Sequence, residues 1–132
     1  MEGTANKQFS ANKIIRVPTS LDGKFFRYWL EFLRPIHKLT DREIDVVELF
    51  LKKRYTLSKV VKDDELLDKV VMSEDVKKEI REKLGITLSH FQVIMSKLRK
   101  NLVIIDNKLN KKFLPTLTNS NSFYLLFDFE LK

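Results

Sequence analysis

The sequence predicts a mainly α-helical domain with a small β-hairpin, and three observations carry that expectation. Between Phe25 and Leu102, apolar residues recur mostly at three- and four-residue steps, the period of a helix with one buried face. Thr40, Ser73, Thr87 and Gly85 stand at the edges of these runs, where helices start and stop. Beyond Leu102 the pattern becomes β-prone and is followed by turn residues. With 132 residues, 43% of them hydrophobic, the chain fits one domain with its own core. Residues 1–12 are polar and read as a flexible N-terminal arm, leaving 13–132 as the domain.

Within that domain, Ile14-Ile15-Arg16-Val17 is a short β-prone run stopped by Pro18. Phe25, Phe26, Trp29, Leu30, Phe32 and Leu33 form a helix-compatible stretch ending at Pro35, dense enough to be core or a groove for a partner. Thr40-Asp41-Arg42-Glu43 has the capping-box form, hydroxyl first and carboxylate three residues later. Ile44, Val47, Phe50 or Leu51, and Tyr55 then make one apolar stripe. Asp63-Asp64-Glu65 opens a short amphipathic helix through Leu66, Leu67, Val70 and Val71. With Asp68 these acids number four, yet no Gly turn or downstream Glu gives an EF-hand spacing, so an acidic helix start is expected rather than a cation site.

Ser73 is suited to cap the next helix, whose stripe is Val76, Ile80 and Leu84. Gly85 follows where a helix end favours a left-handed residue, and Ile86 is a candidate buried turn residue. Thr87 or Ser89 then caps a second helix with Leu88, Phe91, Ile94 or Met95, Leu98 and Leu102 inward. Helix, tight Gly turn and helix over about 74–100 is a helix-turn-helix pattern. Leu102-Val103-Ile104-Ile105, a turn at Asp106-Asn107-Lys108 and a return over Leu109–Leu117 read as a hairpin at about 102–117, with Pro115 favouring an edge or strand end. Asn119–Ser122 is a polar loop, and Phe123, Leu125, Phe127, Phe129 and Leu131 alternate as a half-buried strand over about 122–131. A hairpin directly after a recognition helix is a wing, so the expected fold is a winged helix-turn-helix.

The formal charge of +7 has a telling position. Between Val76 and Lys112 lie Lys77, Lys78, Arg81, Lys83, Lys97, Arg99, Lys100, Lys108, Lys111 and Lys112 against Glu79, Glu82 and Asp106; elsewhere acids and bases balance. Such a concentration suits a polyphosphate partner. The absence of cysteine excludes disulfides, thiolate zinc sites and cysteine nucleophiles. His37 and His90 lack metal-ligand spacing, and no Gly-x-Ser-x-Gly, Walker or Rossmann pattern occurs, so no enzyme, catalytic residue, metal or cofactor is expected. His37, behind Pro35 at a helix connection, reads as structural. No apolar run is long enough to span a membrane and no signal-peptide core precedes the domain, so the expected location is a cytoplasm, the host's for a phage protein, or else a virion.

Leu39-Thr40-Asp41-Arg42-Glu43 resembles the Leu-Thr-x-Arg-Glu opening of LuxR/GerE-type DNA-binding domains, and Lys78–Thr87 resembles their first helix and turn. Leu88–Asn101 would be the recognition helix. Extra residues between the two parts and the basic hairpin depart from that family and favour general winged-helix regulators as the comparison. Lys24–Trp29, Leu39–Glu43, Leu88–Val93 and Lys97–Asn101 together are similar to segments of small proteins of crAss-like bacteriophages. That resemblance implies a phage gene and a possible virion role, without an activity.

The expected function is double-stranded DNA binding by a phage or bacterial transcriptional regulator. Ser89, His90, Gln92, Val93 and Ser96 are the candidates to face bases. Thr87, Lys97, Arg99, Lys100, Lys108, Lys111 and Lys112 are the candidates to meet phosphates. The alternative is a virion or assembly module that uses the fold for protein or non-specific DNA contact. It would expose some of Phe25, Phe26, Trp29, Phe123, Phe127 and Phe129 toward another phage structural protein, whereas a regulator would bury them within itself or in a homodimer.

Overall fold

The computed structural model describes residues 13–118 and 121–132; the arm expected at 1–12 lies outside them, as do the first two residues of the loop expected at 119–122. The described chain is mainly helical, with one small antiparallel hairpin. Its helices are α1 (Phe25–Phe32), α2 (Arg34–His37), α3 (Asp41–Ser58), α4 (Asp64–Val71), α5 (Glu74–Leu84) and α6 (Leu88–Lys100). The hairpin pairs β1 (Ile104–Ile105) with β2 (Lys108–Leu109), and a 3-10 turn follows at Lys111–Phe113.

The central helix, α3, starts at the capping box that its sequence announces. Thr40 Oγ1 accepts the Glu43 N–H at 3.4 Å, and Glu43 Oε1 accepts the Thr40 N–H at 2.9 Å. Ile44, Val46, Val47, Phe50 and Leu51 are all buried, so α3 is covered on several sides by α1, α4, α5 and α6. Phe26, Trp29 and Leu30 close the core from α1. Each such side chain stabilises the fold by about 1.5–3 kcal/mol through burial. The helix expected to stop at Pro35 instead breaks at Leu33, and Pro35 lies in the first turn of α2. A proline fits there because a first-turn N–H has no intrahelical acceptor to lose.

Helix α4 packs between α3 and β2. Its acids do not assemble a cation site. Asp63 caps the helix by accepting the Glu65 N–H at 3.0 Å. Asp68 is buried and accepts from Arg54 at 3.2 Å, with the Lys111 ammonium 3.7 Å away.

The hairpin is far shorter than the run expected at 102–117. Asp106 and Asn107 both have positive φ (54° and 59°), the geometry of a two-residue turn that matches strand twist. The return strand is cut at Asn110: its Oδ1 accepts the Lys112 N–H and its Nδ2–H donates to the Leu102 carbonyl, curling the chain into the 3-10 turn. Phe113 is buried there, and its carbonyl accepts the Trp29 indole N–H at 2.9 Å.

The strand expected over 122–131 is not formed. Residues 123–132 have no strand partner among the described residues, and periodicity alone cannot close a ladder. The β-prone run at 14–17 is likewise unpaired and exposed. Among the described residues no helix is long and apolar enough to cross a membrane.

Candidate nucleic-acid interface

Helices α5 and α6 are joined by three residues, and each junction follows from local chemistry. Ser73 Oγ accepts the Val76 N–H at 3.3 Å to open α5. At its far end Gly85 takes φ +65°, the Ile86 N–H reaches the Arg81 carbonyl and the Gly85 N–H reaches that of Glu82, both at 3.1 Å. This paired closure requires a left-handed residue, which glycine adopts without a Cβ penalty. Ile86 is buried, holding the turn against the core. Thr87 Oγ1 then accepts the His90 N–H at 3.1 Å and starts α6. Arg42 Nη2–H donates to the Leu84 carbonyl at 2.6 Å, which ties the start of α3 to the end of α5.

Helix α6 ends in the same closure. The Val103 N–H reaches the Leu98 carbonyl at 2.9 Å and the Leu102 N–H that of Arg99 at 3.1 Å. Here the left-handed position, φ +61°, is filled by Leu102. Leu102 was expected inward but is exposed, because this φ redirects the chain away from the helix face. Leu88, also expected inward, is exposed at the first turn. Asn101 Nδ2–H donates to the His37 carbonyl at 2.8 Å, fastening the end of α6 to the α2–α3 connection. His37 itself is buried: Nδ1 accepts the Leu39 N–H at 3.0 Å, so Nε2 carries the proton and donates to the Leu30 carbonyl at 2.7 Å. Burial pushes the His37 imidazole below its ordinary value, against the opposing pull of that bond to Leu30, so it is held neutral as a structural pin.

With Phe91, Ile94, Met95 and Leu98 buried, the exposed face of α6 is set by helical spacing. Ser89, Val93, Ser96 and Lys100 run along its outward centre, all exposed. Gln92 and Arg99, seven apart, flank this line toward α5, where they share a groove with Glu74, Asp75, Lys78 and Arg81. His90 and Lys97, also seven apart, flank the other side. The central side chains Ser89, Val93 and Ser96 are small, Lys100 ends the line, and the rims carry the longer polar and basic ones. Lys78 and Arg81 were counted in the basic window but not assigned to the site. Only the tertiary fold, with α5 and α6 both packed on α3, brings them into one groove with Gln92 and Arg99.

Several basic residues of the helical core are matched by acids, while Lys24, Lys38, Lys59, Lys62, Lys69, Lys78, Arg81 and Lys83 have no carboxylate partner among the described residues. Arg27 pairs with Glu31 and Asp45, Arg34 with Glu31 and Asp41, Arg42 with Asp45, Lys52 with Glu48, Lys53 with Glu79 and Arg54 with Asp68. The Arg34 guanidinium holds the Glu31 carboxyl below the usual carboxylate range. Helix α6 contains no acid at all. Lys97, Arg99, Lys100, Lys108 and Lys112 have no carboxylate partner among the described residues. Of the phosphate candidates, Lys111 is drawn toward Asp68, Lys112 lies over the Phe113 ring at 5.9 Å, and the Thr87 hydroxyl is committed to the cap.

No family model, curated protein or solved structure matches this chain. The functional reading therefore rests on α6 and the groups around it. The aromatic candidates divide between core and surface. Phe26 and Trp29 are buried and cannot serve as an exposed patch; Phe25 is half-buried, with its ring edge-on to Phe26 at 5.2 Å. Phe123 packs on Phe25 and Trp29 at 5.1 and 5.6 Å, while Phe127 and Phe129 are exposed. Among the described residues no group of three or more His, Asp, Glu or Cys side chains is placed to hold a metal ion.

Proposed function

We propose that this chain is a winged-helix protein that binds double-stranded DNA, with α6 in the major groove and the β1–β2 hairpin as a short wing. One observation carries the reading: the acid-free α6 and the hairpin packed against its end gather Lys97, Arg99, Lys100, Lys108 and Lys112 with no acid partner among the described residues. A helix fits the roughly 12 Å width of the groove. The small Ser89, Val93 and Ser96 let its centre approach base edges, and the basic rims fall toward the phosphates on either side. On this reading Gln92 reads adenine N6 and N7, Ser89 or His90 meets a base edge, and Val93 meets a thymine methyl. Lys97, Arg99, Lys100, Lys108 and Lys112 supply the phosphate contacts, and Lys78 and Arg81 line the groove beside them. The biological role that follows is transcriptional regulation in a phage or bacterium.

The test is titration of a labelled duplex by fluorescence anisotropy at several salt concentrations. Binding that weakens steeply with salt, and prefers some sequences over random duplex, is the expected result. Absence of binding at low salt would reject the reading. The second reading, an assembly module, is favoured by the exposure of Phe127 and Phe129, which a self-contained regulator would bury.

A further inference from the structure

Two segments of the chain form no helix or strand, are exposed and unpaired, and carry opposite charges. Residues 13–17 read Lys-Ile-Ile-Arg-Val; Ile14 and Ile15 are 71% and 83% exposed. Residues 127–131 read Phe-Asp-Phe-Glu-Leu; Phe129 and Leu131 are 79% and 93% exposed. No backbone hydrogen bond joins either segment to any other described residue. The charges are opposite: Lys13 and Arg16 on one run, Asp128 and Glu130 on the other, none with an ion-pair partner among the described residues. Isolated edges of this composition are templates for pairing.

We propose that the chain self-associates by strand exchange, residues 13–17 of one copy pairing antiparallel with residues 127–131 of a second copy. The register with Arg16 opposite Asp128 matches one charge pair and two apolar pairs, and leaves Lys13 opposite Leu131 and Ile14 opposite Glu130. With Arg16 opposite Asp128, Ile15 stands opposite Phe129 and Val17 opposite Phe127, while Glu130 lies diagonal to Arg16. Alternation then puts Ile15, Val17, Phe127, Phe129 and Leu131 on one face of the ribbon. A second copy is the occupant because each copy carries both halves of the match. A twofold axis therefore forms two ribbons at once, which a single short ribbon needs to be stable. The second segment is already fastened near its start, where Phe123 packs on Phe25 and Trp29, so less ordering is left for association. This inference is independent of nucleic-acid binding.

The test measures the mass of the full chain by light scattering over a concentration series. A concentration-dependent dimer is expected. Arg16→Asp and Asp128→Arg each weaken it by about tenfold, since each reversal is felt twice in a symmetric pair, and the double swap restores it. Both positions are exposed and outside the core, so unchanged circular dichroism accompanies these shifts. Because the chain has no cysteine, a second arm mixes Ile15→Cys and Phe129→Cys chains under mild oxidation. A disulfide between chains should form faster than with the exposed Val60→Cys. A single-chain mass at every concentration, charge reversals without effect, or closure within one chain carrying both cysteines would each overturn the proposal.

Discussion

Removing Lys97, Arg99 and Lys100 together tests whether partner-free cations contact phosphate. Each phosphate contact contributes about −0.9 to the slope of log affinity against log salt on duplex DNA. Five contacts, from these three residues with Lys108 and Lys112, give a slope of about −4.5, and the triple alanine variant retains about −1.8. Between about 50 and 200 mM salt the parent chain then loses about 500-fold in affinity and the variant only about 12-fold. Lys53→Ala is the control: its ammonium sits 3.0 Å from Glu79 Oε1, so it has no free charge to offer and the slope should not change. Anisotropy titrations at four or more salt concentrations give the slopes directly, and circular dichroism verifies the fold. An unchanged slope in the triple variant, or an equal drop in Lys53→Ala, would refute the argument from unpaired charge.

Gln92→Ala should change preference at one base pair by about 1–3 kcal/mol while leaving the salt slope intact; a uniform loss over all sequences would remove Gln92 from the base-facing set. The two helix ends give opposite stability predictions. Gly85→Ala should cost about 1 kcal/mol, because a Cβ meets no neighbour there and only the positive φ penalises it. Leu102→Gly should gain about 1 kcal/mol by relieving the same strain, and a loss on denaturant titration would show that the Leu102 side chain outweighs it. Acid should destabilise the fold through His37. Its folded value is lowered by burial, so below about 6.5 the unfolded chain takes a proton that the folded chain resists. Stability is full above that pH and falls as pH drops toward the folded value; His37→Gln should flatten the fall in denaturant midpoints between about pH 7 and 5.

Most of the helical fold was legible in the residues because its signals are local. The Thr40–Glu43 box, the Ser73 and Thr87 caps and the left-handed Gly85 each need only neighbours three to five residues away, and all form as their spacing implies. The two-residue turn at Asp106-Asn107 is local in the same sense. The strands failed where the signal was not local. Residues 14–17 are β-prone and 123–131 alternate as a strand does, but a strand also needs an edge to pair with, and the described residues supply none. The return strand after Leu109 lost to Asn110, whose side chain offers the backbone a competing turn.

By itself, then, the sequence determined the two capped helices joined at Gly85, the basic charge they carry and the exposed face of α6, since helical period and capping are short-range. Tertiary structure alone decided which cations are spent on Asp45, Asp68 or Glu79 and which remain free, and that Lys78 and Arg81 face Gln92 and Arg99. Those outcomes depend on contacts between elements far apart in the chain, which no local pattern encodes.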